Sequence, residues 1–232
     1  MNILAVDTSA LTATVSIMKD GVSVYEHNVT NALTHSETLM PMIDSALKSV
    51  SLTPDKIDLY AVSCGPGSFT GIRIGVAAIK ALAYAVNKPV FGMNTLEALA
   101  YNLILIENTP ICAIMDARRG QVYTGTYIFE NGEIKCISAP DAKSIQELCC
   151  EIKEKTYFVG DGVRVYKELI ASILGENALF APPALALQKA SSVAYRASLA
   201  KEDEYSSPEA IEVIYLRKSQ AEREREEKER NE

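Results

Sequence analysis

The chain opens with apolar segments that have the spacing of β-strands. An apolar run at 3–6 predicts a short buried strand, and alternating apolar and polar residues at 12–18 and 22–29 predict two half-buried strands. Asp20-Gly21 separates the last two, and this dipeptide is typical of a tight hairpin turn. The pattern therefore predicts three strands, with the second and third joined as a hairpin.

A helix is predicted next, because apolar residues between Leu39 and Val50 recur at helical intervals. Thr34 and Glu37 have the spacing of a capping box, which would start the helix at Thr34. Pro41 conflicts with that start, because a proline inside a helix removes a backbone hydrogen bond. Two alternatives stay open: the helix begins later, or it bends at the proline.

The stretch 64–86 is the most distinctive part of the sequence. It follows a predicted strand at 58–63 and begins with Gly-Pro-Gly at 65–67, which favours a tight turn before a helix. One stripe of that helix is apolar: Ile72, Val76, Ile79, Ala83 and Val86. A second stripe has small side chains: Gly71, Gly75, Ala78 and Ala85. We expect the helix to be covered by its own sheet and by a second surface, the alternative being an ordinary core helix.

The pattern starts again in the second half of the chain. An apolar strand is predicted at 111–115, and two alternating segments at 122–129 and 133–137 flank the hairpin dipeptide Asn131-Gly132. Further strands are predicted at 89–93 and 156–159, and further helices at 95–106, 144–152 and 184–201. Each half is therefore a strand, a hairpin and then alternating helices and strands.

Two related halves predict a duplicated α/β fold. We expect mixed sheets flanked by helices, in the two-lobed architecture of the actin-like, ribonuclease-H-like ATPases. The expected first lobe is 1–107, the second lobe is 108–218, and a charged tail covers 219–232. A fold of this class carries no function by itself.

Composition describes an ordinary globular protein with an acidic balance. Hydrophobic residues make up 48% and charged residues 23% of the 232 residues, and the net charge is −7. That charge argues against direct, charge-driven binding of nucleic acid. The cysteines are scattered, without a C-x-x-C motif, so we expect reduced thiols in a cytoplasmic protein: Cys64, Cys112, Cys136, Cys149 and Cys150. No signal peptide or membrane span is predicted.

Candidate chemistry is sparse. Asp7, Thr8 and Ser9 follow the first strand, where kinases of this architecture bind phosphate through backbone N–H groups. Such loops are usually rich in glycine, and this one has none. The matching loop at 116–120 contains one glycine and two arginines, Arg118 and Arg119. These arginines could bind an anion, but the simpler interpretation is that they are an exposed pair without a ligand. Gly-Asp-Gly at 160–162 could approach a nucleotide, although short glycine turns are common.

Catalytic and metal-binding residues are not indicated. His27 and His35 are the two histidines, and their spacing does not place them on one helix face as a metal-binding pair. His35 is interpreted as a hydrogen-bonding residue at a helix start. No order of serine, histidine and aspartate indicates a nucleophile with its base.

Several segments together resemble a known family. ILAVDTS at 3–9, THSETLMPMID at 34–44, GPGSFTGIRIGVAAIKALA at 65–83 and MDARRGQVY at 115–123 are similar to motifs of the TsaB (YeaZ) family. FVGDG at 158–162 and IYLRKSQAE at 214–222 are similar as well. The resemblance runs from residue 1 to about 221, which leaves the charged tail outside it.

The resemblance implies a fold and a role. TsaB-like proteins have the two-lobed actin-like fold with a degenerate nucleotide cleft, so no cofactor is expected. They are non-catalytic partners of TsaD, the catalytic subunit that makes N6-threonylcarbamoyladenosine (t6A) in tRNA, and they act together with the ATPase TsaE. Contact with tRNA is expected only through other subunits, and a homodimer is expected when the chain is alone.

The resemblance also implies an interface on two helices. Carried over, these are the segments 36–50 and 70–86. The residues expected to contact the partner are Leu39, Met42, Ile43, Ala46, Gly71, Arg73, Gly75, Ala78 and Leu82. The main alternative function is an active ATPase or small-molecule kinase of the same fold, and a metallopeptidase is a third that lacks its ligands.

Overall fold

The computed structural model describes residues 1–30 and 34–217. The first half contains β1 (Asn2–Asp7), β2 (Thr12–Lys19), β3 (Val22–Thr30), α1 (His35–Ser49), β4 (Leu59–Ser63), α2 (Phe69–Ala85), β5 (Val90–Met93) and α3 (Thr95–Tyr101). The second half contains β6 (Ile111–Asp116), β7 (Gln121–Glu130), β8 (Glu133–Ser144), α4 (Ile145–Glu151), β9 (Thr156–Val159), α5 (Gly162–Leu174), β10 (Ala178–Phe180) and α6 (Ala190–Leu199).

The strands form two sheets with the same topology. The first has the order β3-β2-β1-β4-β5 and the second has the order β10-β9-β6-β7-β8, which is the first order read from the other edge. In each sheet three consecutive strands are antiparallel and the remaining two are parallel to the first of them. The predicted fold class, duplicated mixed sheets flanked by helices, is therefore confirmed.

Both predicted hairpins are present. Asp20 and Gly21 have φ values of 49° and 81°, and Asn131 and Gly132 have 55° and 79°. Two successive positive φ angles are required by the type I′ turn, whose twist matches that of the flanking strands. The dipeptides therefore determine where the chain reverses direction between the second and third strands of each half.

Alternation along the central strands divides the core into layers. Ile3 and Ala5 of β1 face a core that also contains α3, α6 and the second sheet, whereas Leu4 and Val6 face α1 and α2. In β6 the same alternation turns Cys112 towards the core beneath α4 and α5. The protein therefore has five layers, which follow in this order: helices α1 and α2; the first sheet; helices α3 and α6; the second sheet; and helices α4 and α5.

The middle layer joins the two halves. Helix α6 packs on β1, β2 and β4 of the first sheet, and α3 packs on β6 and β7 of the second. Asn102, just after α3, donates through Nδ2 to the carbonyls of Leu185 at 2.9 Å and Leu187 at 2.8 Å, and accepts from the Ser192 hydroxyl at 2.6 Å. Packing thus crosses the expected division between 1–107 and 108–218 in both directions, and that division stays a prediction.

Some predicted elements differ in extent. Helix α1 begins at His35 behind an intact Thr34–Glu37 capping box, with Pro41 inside the helix on its exposed side, so the helix does not begin later. Helix α3 ends at Tyr101 instead of 106, where the Asn102 side chain binds other carbonyls, and α6 covers only 190–199 of the predicted 184–201. Helix α5 and strand β10 were not predicted. The tail at 219–232 lies outside the described residues.

We predict that Asn102→Ala destabilises the protein by about 2–4 kcal/mol, because two partly buried carbonyls and a buried hydroxyl lose their partner together. The free energy of unfolding, measured by urea titration, checks this. Asn28→Ala, which removes an exposed amide from β3, should change stability by less than about 0.5 kcal/mol. Equal effects of the two substitutions would contradict the bridging role of Asn102.

Candidate functional site

Asp7 lies at the end of β1 and is fully buried. Its Oδ1 accepts the Ser9 backbone N–H at 2.8 Å and the Ser9 hydroxyl at 2.6 Å, and its Oδ2 accepts the Ser63 hydroxyl at 2.6 Å. Burial raises the pKa of Asp7 above its usual range, although the hydrogen bonds from Ser63 and Ser9 oppose the rise. The carboxyl group ties the β1–β2 turn to the end of β4.

Thr8 and Ser9 are covered by the start of α2. The Thr8 hydroxyl donates to the carbonyl of Gly71 at 2.7 Å, and the backbone N–H of Ser68 donates to the Ser9 carbonyl at 2.6 Å. The N–H groups of Ser9 and Ser68 are therefore both used inside the protein. A phosphate at this turn would have to displace these bonds, so the predicted cleft loop is occupied by the protein's own backbone.

The two glycines of α2 serve this contact. A Cβ atom at Gly71 would collide with the Thr8 carbonyl oxygen, and one at Gly75 would collide with the Thr8 hydroxyl. The imidazole of His35 closes the same region and its Nε2 lies 2.7 Å from the Ala10 carbonyl oxygen. The glycine part of the small stripe thus faces the β1–β2 turn.

The corresponding loop of the second half is built on a similar bond. Asp116 Oδ1 accepts the backbone N–H of Arg118 at 2.9 Å, as Asp7 does from Ser9 two residues on. The Tyr166 hydroxyl donates to the same Oδ1 at 3.3 Å. Arg118 and Arg119 are exposed. This second turn is therefore exposed to solvent, whereas the β1–β2 turn is covered by α2.

Asp161, which follows β9, faces this loop. Burial raises its pKa to about 6, and the negative charge of Asp116 adds to the rise, while backbone N–H groups oppose it. Among the described residues its Oδ1 has no hydrogen-bond partner. A Cβ atom at the neighbouring Gly160 would collide with the Ile114 carbonyl, so Gly160 allows close packing here.

The segment 206–217, named here the C-terminal strap, was not anticipated. It begins beside β5, where Ser206 and Val90 exchange two backbone hydrogen bonds of 2.8 and 2.9 Å. Further along, the N–H of Ile214 donates to the Cys64 carbonyl at 2.8 Å, and Arg217 Nη1 donates to the Ala117 carbonyl at 3.1 Å. The strap therefore connects the first sheet to the 116–120 loop of the second half.

Both charges of α2 hold this strap. Lys80 Nζ donates to the carbonyls of Glu209 at 3.1 Å and Ile211 at 3.0 Å. Arg73 Nε donates to the Tyr215 hydroxyl at 2.6 Å, and its guanidinium lies 3.8 Å from the centre of the Phe69 ring, which stacks on Tyr215.

The residues predicted for the partner interface divide into two groups. Six are buried inside the first half: Leu39, Met42, Ile43, Ala46, Gly71 and Gly75. The other three reach the surface: Arg73 is exposed, and Ala78 and Leu82 are half-buried. The exposed face of the two helices instead presents Met40, Ala77, Ala81 and Tyr84, of which Tyr84 is 69% exposed.

Residues 1–30 and 34–217 contain neither a cluster of metal ligands nor a membrane-spanning helix. No three of their histidine, cysteine, aspartate and glutamate side chains are grouped as metal ligands would be. In the same part of the chain, every helix is too short or too polar to cross a membrane.

Comparison with known proteins supplies the family. A family model described as TsaD, tRNA N6-adenosine threonylcarbamoyltransferase, matches residues 29–224. The tRNA threonylcarbamoyladenosine biosynthesis protein TsaB of Bacillus subtilis is 32% identical over 225 residues, which cover 96% of each chain.

Solved structures agree with this assignment. A Pseudomonas aeruginosa protein with similarity to the peptidase YeaZ is 25% identical, with a TM-score of 0.79 over 93% of this chain and 99% of its own. The ethanolamine utilization protein EutJ of Carboxydothermus hydrogenoformans, at 12% identity and a TM-score of 0.52 over 84% of this chain and 89% of its own, shares the fold alone. From the matches in sequence and structure together, the chain belongs to the TsaB (YeaZ) family.

Proposed function

We propose that this protein is a non-catalytic partner subunit in the synthesis of t6A in tRNA. It binds a TsaD-type catalytic subunit, acts with a TsaE-type ATPase in the cytoplasm, and forms a homodimer when alone. Membership of the family supports this proposal, as do the names of the TsaB relative and of the TsaD family model.

The observation that carries the proposal is the outward face of α1 and α2. Both helices bury one side on the first sheet. The exposed side of α2 is mainly small or apolar and presents Ala77, Ala81 and Tyr84, whereas the exposed side of α1 is polar apart from Pro41 and Met40, which is 47% exposed. Exposed apolar side chains along one helix face are typical of an interaction surface.

The dimensions of this face suit a helix-pair interface. At 15 and 17 residues, the helices are roughly 22 and 26 Å long, and two side by side are about 20 Å wide. Such a face offers on the order of 500 Å² per subunit, so a pair buries about 1,000 Å² in total. That value is at the lower limit for a specific interface. A self-association of this size would exchange readily for a better-matched partner.

The covered β1–β2 turn supports the absence of catalysis. Its carboxyl group accepts three internal hydrogen bonds, one of them from the Ser9 N–H, and the Ser68 N–H at the start of α2 donates to the Ser9 carbonyl. A nucleotide phosphate needs such N–H groups. The competing function, an active ATPase or small-molecule kinase, would require this turn to open.

We predict that Ala81→Arg abolishes binding to the cognate TsaD-type subunit and leaves the fold intact. The position is exposed, so the folded chain accepts a long side chain there, but the arginine prevents the partner from packing against the helix face. Light scattering after size-exclusion chromatography would measure the complex, and circular dichroism the fold. Ala171→Arg, at an exposed position of α5, is the charge-matched control and should not affect binding. Gly75→Arg is unsuitable, because Thr8 occupies the space.

We predict that Asp7→Ala lowers the free energy of unfolding by about 3 kcal/mol, because two hydroxyl groups and an N–H lose a buried acceptor. ATP turnover by the purified chain should stay at the background level in both proteins. A measurable turnover in the wild type that disappears in the variant would support the enzyme alternative and contradict our proposal.

Asp161 gives a test by pH. Its pKa is raised in the folded protein, from 3.8 to about 6, so the folded state binds more protons than the unfolded state between these values. Stability contributed by this group is therefore lost as pH rises through about 4 to 6. Asp161→Asn should raise the free energy of unfolding by about 1–3 kcal/mol relative to wild type at pH 7, and this gain should vanish near pH 4.

Urea titrations at several pH values would measure this gain. Asp203→Asn, at an exposed position, is the control and should show no such dependence on pH. A gain of equal size at pH 4 and pH 7 would mean that the effect is not caused by ionisation of Asp161.

A further inference from the structure

Arg118 and Arg119 are held in an unusual backbone conformation. Their φ values are 63° and 55°, and Gly120 follows at 75°, so three consecutive residues are left-handed. Side chains other than glycine rarely adopt this region, and two arginines in succession are an outlier that the covered first-half turn does not share. Both arginines are exposed.

Five hydrogen bonds hold this loop. Asp116 Oδ1 accepts from Arg118 N at 2.9 Å. The loop is closed by Ala117 N to the Gln121 carbonyl at 3.0 Å and by Gln121 N to the Arg118 carbonyl at 3.2 Å. From outside, Ile145 N donates to the Gly120 carbonyl at 3.2 Å and Arg217 to the Ala117 carbonyl at 3.1 Å. The two arginines are therefore presented on a preorganised backbone.

Of the described cations near this region, only the strap arginine is bonded to the loop. Tyr166 joins α5 to the loop through Asp116 of β6, whereas exposed Lys167 lies over the Phe180 ring of β10, on the other side of β9, and exposed Arg164 is one helical turn from Lys167. Arg217 adds a further cation from the strap. None of these cations, nor either loop arginine, is in an ion pair with another described residue.

Carboxyl groups also lie near the loop. Asp116 is directed at the loop's own N–H and at Tyr166. Asp161 is desolvated and has a raised pKa. Glu168 on α5 and Glu147, at the start of the helix whose first N–H bonds to Gly120, are exposed acids. The positive charge of the loop is therefore that of its own two arginines and of Arg217, on a chain whose net charge is −7.

We propose that the Arg118–Arg119 loop contacts the phosphodiester backbone of RNA in the assembled complex. This inference rests on the proposed function, which makes tRNA the substrate of the assembly, and it departs from the expectation that tRNA is contacted only through other subunits. Guanidinium groups bind phosphate oxygens with paired donors, and a fixed backbone lowers the entropy lost on binding. Two adjacent exposed guanidinium groups, with Arg217 bonded to the same loop, suit the successive phosphates of a strand better than a single acidic side chain.

The test uses the complex of the full chain with its cognate TsaD-type subunit and an unmodified tRNA transcript. Affinity is measured by fluorescence anisotropy over a range of salt concentrations. For Arg118→Ala/Arg119→Ala we expect affinity about tenfold weaker near 0.1 M salt, and a salt dependence reduced by about one to two phosphate contacts. Arg118→Lys/Arg119→Lys should retain most of the salt dependence.

Lys153→Ala/Lys155→Ala is the matched control. It removes the same charge from exposed positions before β9, at the end of the sheet away from the loop, and should leave affinity within about twofold. Equal losses in the two double variants would reduce the effect to net charge, and no loss in the arginine variant would equally overturn the inference.

Assembly of each variant is measured first, by size-exclusion chromatography. If the arginine variant fails to assemble although it is folded, the loop binds protein, and the RNA inference is wrong. If even the wild-type chain forms no complex, the proposed function itself is wrong. If the complex assembles and the arginine variant binds RNA as tightly as wild type, only the RNA inference is wrong.

Discussion

The first half of the molecule depends on how closely the β1–β2 turn approaches the backbone of α2. Thr8 hydrogen bonds to the Gly71 carbonyl and fills the space that side chains at Gly71 and Gly75 would take. This contact determines the rotation of α2 on the sheet. With the glycines turned inward, Ala77, Ala81 and Tyr84 are turned outward. The same glycines therefore close the cleft loop and orient the face that we assign to the partner.

The two halves share a topology but use it differently. In both, an aspartate at the end of the first strand accepts the N–H two residues later and so forms the turn. In the first half the start of α2 covers that turn, and the Ser68 N–H donates to the Ser9 carbonyl. In the second half the turn is exposed and carries two arginines. The two halves therefore contain equivalent loops, of which the first is packed under a helix and the second is exposed at the surface.

Much of the fold could be predicted from the sequence, because local patterns decide it. Alternation along β1 and β6 and the dipeptides at 20–21 and 131–132 are sufficient for the strands and hairpins. Contacts between distant segments could not be predicted in this way. The small stripe of α2 indicated a close neighbour, but whether that neighbour was a helix or Thr8 depends on the tertiary structure.

The candidate site shows the same limit. Periodicity identified apolar positions such as Leu39 and Ile43, and it could not separate those facing the sheet from those facing a partner. Helix α5 was missed although Val163 and Ile170 have helical spacing. The strap was missed because its bonds are made by backbone groups and by Lys80 and Arg73 of a remote helix.

The position of α6 has a consequence for the order of events during synthesis. Its residues complete the inner layer of a sheet whose own strands end at Met93. Translation at 5–20 residues per second means that roughly 5–20 s pass before these last residues are made. Throughout that interval the nascent first sheet has an uncovered apolar face, which is the kind of surface that chaperones at the ribosome bind.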